Sequence, residues 1–202
     1  EEANIAKREA FSGSYLSAVD TLQSKLLDAV NSQMHADVPL GAFLSGGVDS
    51  STIVALMQKK SSKKVKTFSI GFEDNRFNEA VHAKSVANYL GTDHHDMYVT
   101  SKDALNVLPL LPDIFDEPFA DSSQIPMYLL SKIAKSKVKV CLSGDGGDEL
   151  FGGYNRYLVA SKFWSKISKI PRPAKGALAY LIKAIKPDVW DKISDLLYKN
   201  RY

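Results

Sequence analysis

The chain of 202 residues carries a single cysteine, Cys141. That excludes an intrachain disulfide and a zinc site built on cysteine pairs. No apolar run approaches the ~20 residues that a membrane-spanning helix needs. The first residues, Glu1-Glu2-Ala3-Asn4, have neither the basic start nor the apolar stretch of a signal peptide. These absences fit the cytoplasm. No repeat of fixed period is found. Two common phosphate-binding patterns are also missing: the Walker lysine pattern and Gly-x-Gly-x-x-Gly. What remains is ordinary for a globular protein, with 45% hydrophobic and 24% charged residues, enough for a sizeable core.

The net charge of +3 hides an asymmetry. Residues 1–154 hold 15 Lys/Arg against 20 Asp/Glu, whereas residues 155–202 hold 11 against 3. A basic tail can meet nucleic acid or an anionic surface. Here its lysines alternate with apolar residues, which suits solvated helix faces or a surface facing an acidic partner, and neither a nucleic-acid partner nor a membrane span is expected.

Hydrophobic spacing divides the chain. Residues 1–13 read as a loose lead-in. From Ser14, the residues Tyr15, Leu16, Val19, Leu22, Leu26, Val30 and Met34 fall at helical spacing and are expected to face the core. Asp37-Val38-Pro39 ends that helix. Leu40 to Leu44 is apolar throughout, as for a parallel strand covered on both faces. A helix to about Gln58 follows, then a strand over Val65 to Ile70 that Gly71 is expected to end. Next comes a helix from about Asn78, with Ala80, Val81, Ala83, Val86, Ala87 and Leu90 inward and Gly91 as its cap. His94 to Thr100 reads as a third strand. Ser101 is expected to cap a helix over Ala104 to Leu111, with Asp103 in its first turn. After an acidic stretch around Asp116, Glu117 and Asp121, either Asp121 or Ser122 is expected to cap a helix with Pro126 in its first turn. Val138 to Leu142 makes a fourth strand. Helical segments follow, split by Pro171-Arg172-Pro173 and by Lys186-Pro187, with faces that include Phe163, Trp164, Leu178, Leu181, Ile182, Trp190, Leu196 and Leu197. The expectation is an α/β core over 14–154, a parallel twisted sheet with helices on both faces, followed by a basic helical segment over 155–202. In such sheets a ligand lies beyond the C-terminal strand edge.

The stretch Ala42-Phe43-Leu44-Ser45-Gly46-Gly47-Val48-Asp49-Ser50-Ser51 organises this pattern. It reads as a buried strand, a glycine turn and a helix N-terminus. Glycine lets the backbone approach a ligand, and the helix start offers unpaired N–H groups at the positive end of a dipole. That is an anion site, most naturally for phosphate. Asp49 would repel a bare phosphate, so a metal between the two is expected. The competing reading is an ordinary glycine turn. A similar stretch follows the fourth strand: Leu142-Ser143-Gly144-Asp145-Gly146-Gly147-Asp148. If the two strands are neighbours, Asp49 and Asp148 can share a Mg²⁺, which favours few carboxylates plus phosphate oxygens. The alternative is helix capping by Asp145 and Asp148.

Ser-Gly-Gly-x-Asp-Ser resembles the PP-loop of ATP pyrophosphatases. Leu-Ser-Gly-Asp-Gly-Gly-Asp-Glu-Leu-Phe-Gly-Gly-Tyr, at Leu142 to Tyr154, is similar to the second signature of the glutamine-dependent asparagine synthetase family, in its C-terminal synthetase domain. Thr67 to Phe72, His82-Ala83-Lys84, Gly91 to His95 and Pro126 to Leu130 match the same family, so the resemblance runs from about Leu16 to Tyr157. It implies an adenine nucleotide alpha hydrolase-like fold and a two-step reaction. A carboxylate, aspartate in the first instance, is adenylated by ATP with loss of Mg-pyrophosphate, and ammonia then gives the amide and AMP. By motif match, Ser45, Gly46, Gly47 and Ser50 cradle the nucleotide phosphates, and Leu44 is counted among the nucleotide-binding residues. Ile70 and Gly71 meet adenine through backbone, and Ser143 and Gly144 line the nucleotide. Asp49 and Asp148 hold Mg²⁺. Asp145 stands where the family has a Glu that handles the amine side of the acceptor.

The departures from the family pattern bear on substrate. Asp145 is one methylene shorter than that Glu. Asp121-Ser122-Ser123 replaces a segment that carries an arginine in asparagine synthetases, and relatives with this pattern include amidotransferases of surface polysaccharide synthesis. A uronic acid sugar is therefore an alternative acceptor, and a nucleotide-binding module without chemistry a third reading. The family's ammonia-supplying glutaminase domain, with its N-terminal cysteine, and a lysine about a hundred residues after the second loop are expected in a longer parent chain, as is a homodimer. Cys141 is expected to be inert packing, His94-His95 structural, and Lys84 a surface charge.

Overall fold

A computed structural model describes residues 10–73, 78–117, 121–184 and 189–190. The expected lead-in over 1–13 lies largely outside these residues, and Lys186-Pro187, the faces at Leu196 and Leu197 and the side chains of Leu178 and Leu181 lie outside them altogether. The chain forms two compact units, residues 1–146 and 147–202.

The first unit is a four-stranded parallel sheet with helices on both faces. Its elements run α1 (Tyr15–Gln33), β1 (Leu40–Phe43), α2 (Val48–Lys60), β2 (Lys66–Phe72), α3 (Ala80–Leu90), β3 (Asp93–Val99) and α4 (Ser101–Val107). A 3-10 turn (Leu108–Leu110), α5 (Leu111–Ile114), α6 (Gln124–Lys135) and β4 (Val140–Leu142) complete it. The strand order is β3-β2-β1-β4. The chain builds outward from β1 to β3, then returns to add β4 on the other side of β1. The order therefore reverses between β1 and β4, and this is where open α/β sheets bind ligands.

One core joins Val30, Ala42, Leu44, Val54, Met57, Ala83 and Ala87, and so packs α1, α2 and α3 against β1. On the opposite face, Phe68 meets Leu130 and Ala134 of α6. A third cluster joins Val99, Val107 and Leu129. The apolar run of β1 is covered from both sides, as its composition requires.

Several expectations are corrected. The first half of the α1 stripe is not core: Tyr15 is 82% and Leu16 73% exposed, and Val19 and Leu22 are also exposed. A helix of 19 residues is about 28 Å long, and only its C-terminal part, with Leu26, Val30 and Met34, reaches the sheet. Gly71 does not end β2. It pairs with Tyr98, and a Cβ there would meet Ala80 Cβ at 2.9 Å, so the glycine admits the start of α3. Val81 faces solvent, because α3 buries only its alanines on this narrow contact. Gly91 caps α3 with φ +71°, as expected. The cap of α4 is Thr100, one residue before Ser101. Its hydroxyl accepts the Asp103 N–H while the Asp103 carboxylate accepts the Thr100 N–H, a reciprocal pair that Ser101 could not make. The α4 helix also stops at Val107, because the prolines that follow favour tighter turns. Ser123, not Asp121 or Ser122, is the N-cap of α6. Asp121 instead accepts the Ser123 N–H at 2.8 Å and shapes the turn before the helix.

His94 and His95 point to opposite faces of β3, as strand geometry demands. His94 Nδ1 lies 2.9 Å from Thr67 Oγ1 and Nε2 3.3 Å from Ser69 Oγ. Burial pushes its pKa below the ordinary value of 6.5. His95 stacks on Phe68, with ring centroids 5.5 Å apart. Lys84 lies 3.5 Å from Asp96 on the surface.

The second unit comprises α7 (Gly147–Phe151), α8 (Asn155–Ile167) and α9 (Arg172–Ala184). None of its described residues is fully buried. No helix among the described residues is long and apolar enough to cross a membrane.

Candidate nucleotide site

The parallel pairing of β1 with both β2 and β4 brings three chain segments to one sheet edge. The first is the loop after β1. Leu44 is buried and its N–H donates to the Phe68 carbonyl at 2.9 Å, which fixes where the loop begins. The loop is then closed by its own hydroxyls. Ser45 Oγ and Ser50 Oγ lie 2.9 Å apart, the Ser45 N–H donates to Ser50 Oγ at 3.2 Å, and the Gly47 N–H donates to Ser45 Oγ at 3.2 Å. The Ser50 hydroxyl is therefore turned inward and sets the loop's shape. Gly46 has φ +84°, and a Cβ there would lie 2.7 Å from the Ala83 N, so the loop is wedged against the start of α3.

The α2 helix begins without a side-chain cap, on Gly47. Its first intrahelical bond runs from the Ser51 N–H to the Gly47 carbonyl at 3.0 Å, so the N–H groups of Val48, Asp49 and Ser50 have no acceptor within the helix. Those donors and the helix dipole favour an anion at the loop. Asp49 sits half-buried among them, in the first turn. Among the described residues its carboxylate makes no hydrogen bond or ion pair.

The second segment is the loop after β4. Gly144 rests on the first: a Cβ there would lie 2.6 Å from the Ser50 N and 2.9 Å from the Asp49 carbonyl carbon. Only a residue without a side chain fits. Asp145 is exposed, and the Ser143 hydroxyl donates to its Oδ2 at 2.9 Å. Gly146 has φ +90° and open space around it, so it provides the left-handed turn that starts the next helix.

The third segment is the end of β2. Its pairing with β1 stops at Phe68, whose carbonyl receives Leu44. The backbone of Ile70, two residues on, points the same way but lies past the end of β1. The Ile70 side chain packs into the opposite core. Leu44, Ser45, Gly46, Gly47, Asp49, Ser50, Ile70, Gly71, Ser143, Gly144 and Asp145 thus all lie at this end of the sheet.

Asp148 belongs to the second unit, in the first turn of α7, half-buried. Beside it, Glu149 accepts the Tyr154 hydroxyl at 2.6 Å, which holds the Glu149 carboxyl below its usual range. No group of three or more metal-ligating side chains exists among the described residues. Mg²⁺ does not need one, since it keeps waters and substrate phosphates alongside one or two carboxylates. A free carboxylate set among anion-attracting N–H groups suits such an ion, so the donor set fits. Cys141, on β4, is half-buried, and burial raises its thiol to about 11.

The part sequence reasoning did not supply is the internal bracing. The role of Ser50 as a brace and the seat of Gly144 on the Ser50 N–H depend on contacts that no spacing rule encodes.

The family pattern described as asparagine synthase matches residues 21–201. A putative asparagine synthetase (glutamine-hydrolyzing) of Methanocaldococcus jannaschii is 45% identical over 148 residues, 73% of this chain and 28% of that protein. An asparagine synthetase (glutamine-hydrolyzing) of Bacillus subtilis is 41% identical over 170 residues, 84% of this chain and 26% of that one. Asparagine synthetase B of Escherichia coli is 36% identical over 151 residues, 66% of this chain and 26% of its own length. The chain thus spans about a quarter of the length of these relatives.

Proposed function

The chain belongs to the asparagine synthase family, and from that premise we propose that it carries the ATP site of an amide-forming ligase. A substrate carboxylate oxygen attacks the α-phosphorus of ATP. The bond to the β-phosphate bridging oxygen breaks, and acyl-adenylate and pyrophosphate result. Ammonia then attacks the acyl carbon, the bond to AMP breaks, and the amide, AMP and a proton are released.

The observation that carries this reading is the seating of Gly144 on the Ser50 N–H at the edge shared by β1 and β4. It makes the two loops one surface. Gly46 and the uncapped start of α2 meet the pyrophosphate portion through N–H groups, Ser45 meets it through its hydroxyl and Gly47 lets the backbone approach, while the Ser45 and Gly47 N–H groups, Ser50 and Leu44 fix the loop. The backbone at Ile70 and Gly71 meets adenine, and Ser143 and Gly144 line the nucleotide. Asp49 is assigned to Mg²⁺, which would supply positive charge to the leaving pyrophosphate when bound, and the motif match gives Asp148 the same role. Asp145 faces the acceptor. The preferred acceptor is aspartate, and ammonia comes from a glutaminase part of the parent protein.

A second acceptor, a uronic acid sugar, is favoured by one observation. Asp145 is short and tied back to Ser143, so it reaches less far into the site than a Glu would. The test is isotope exchange between pyrophosphate and ATP in the full-length protein. Exchange that requires aspartate supports the first acceptor, and exchange that requires a hexuronic acid supports the second. Nucleotide binding without exchange by any carboxylate contradicts adenylation and leaves a binding module.

A further inference from the structure

The end of the second motif, Phe151-Gly152-Gly153-Tyr154, has no chemistry in the reading above. Its two glycines differ in what they do. Gly152 ends the five-residue α7 with φ +68°, and a Cβ there would meet nothing nearer than Tyr157 Cδ2 at 4.0 Å. Its need is conformational. Gly153 carries no positive φ. Its N–H donates to the Asp148 carbonyl at 3.0 Å. A Cβ on Gly153 would overlap Asp148 Oδ1, and would lie 3.0 Å from Asp148 Cγ. The Asp148 carboxylate therefore occupies the space that a side chain at 153 would take.

The next residue acts on the neighbouring carboxylate. The Tyr154 hydroxyl donates to Glu149 Oε1 at 2.6 Å, and the Arg156 guanidinium lies 4.0 Å from the centre of the Tyr154 ring. Glu149 is thus engaged and exposed, whereas Asp148 is half-buried, with no hydrogen-bond or ion-pair partner for its side chain among the described residues.

We propose that Gly153 is the positioning residue for Asp148: its missing side chain is the seat that holds this carboxylate in its metal-binding rotamer, while Tyr154 keeps Glu149 from substituting for it. This rests on the reading of Asp148 as a Mg²⁺ ligand. Residues that orient a metal ligand change metal affinity by about 10–100-fold when altered, which sets the expected scale.

The test uses Mn²⁺ as the probe, titrated into full-length protein with ATP and followed by electron paramagnetic resonance, with melting temperatures in parallel. Asp148→Asn and Gly153→Ala each weaken Mn²⁺ binding about tenfold or more. Gly152→Ala lowers the melting temperature through backbone strain yet binds Mn²⁺ as the wild type does. A Gly153→Ala protein that binds Mn²⁺ like wild type while Asp148→Asn does not overturns the inference. So does a Gly152→Ala protein that loses Mn²⁺ as severely as Gly153→Ala, since the effect would then be general destabilisation. Wild-type binding by Asp148→Asn removes the premise instead, and is a separate result.

Discussion

The loops that follow β1 and β4 leave neighbouring strands at one sheet edge but are held by different means. The first is closed by its own hydroxyls, Ser45 and Ser50, and wedged by Gly46 against α3. The second has one internal side-chain bond, Ser143 to Asp145, and takes its seat from the backbone of the first at Ser50. The strands beneath differ in the same sense. The middle residues of β1 are buried, whereas β4 has no fully buried residue. The first loop is a self-supporting cradle and the second is a lining laid upon it. Damage to the first should disturb both, whereas damage to the second should stay local unless it reaches the shared contact.

The largest effect is expected at that contact. Gly144→Ala forces a methyl against the Ser50 N, so one loop must move by about an ångström. ATP affinity should fall about 100-fold, measured by calorimetry, because misplacement on that scale disrupts the alignment of a bound substrate. A variant that binds ATP normally would show that the two loops do not depend on one another.

Cys141 reports on the strand below. With its thiol raised to about 11 by burial, against an ordinary 9.0, the native protein holds about 100-fold less thiolate at pH 8 than the unfolded chain. Iodoacetamide should label it more slowly by about that factor, with the rate rising steeply with pH through the titration. Rapid labelling of the native protein would mean that β4 is frayed.

Ser50→Ala comes next. It removes the acceptor for the Ser45 N–H and the partner of Ser45 Oγ, a loss of about 1–2 kcal/mol, so ATP binding weakens about tenfold. Ser143→Ala should have the smallest effect. It frees the exposed Asp145 and leaves Gly144 seated, so ATP affinity changes by less than about threefold, within the span of an exposed hydrogen bond. The dependence of pyrophosphate exchange on the acceptor is where that change should register. If Ser143→Ala weakened ATP binding more than Ser50→Ala, the ranking of the two loops would be reversed.

Much of this arrangement is legible in the chain. The apolar run of Leu40 to Leu44 reads as a covered strand, and Ser-Gly-Gly before an apolar helix reads as a turn that exposes N–H groups. What the chain did not disclose is tertiary. Gly71 reads as a stop because a glycine usually interrupts a strand, but here it makes room for Ala80 at the start of α3. Thr100 and Ser101 are both capping residues, and the reciprocal bond with Asp103 decides between them. The α1 stripe has core spacing along its whole length, yet the sheet reaches only its last turns. Gly153 could be named as a turn residue, but the carboxylate it accommodates lies five positions earlier and had to be seen in space.

The central claim is that Asp49 serves a metal at an anion-binding loop, and it is tested by titrating ATP into the wild type and Asp49→Asn with and without Mg²⁺. The account predicts that Asp49→Asn binds ATP more weakly than wild type in Mg²⁺, by about tenfold or more. Without metal it should bind equally or more tightly, because a carboxylate that repels phosphate has been neutralised. Equal loss of affinity in both conditions would contradict it, as would no loss in either.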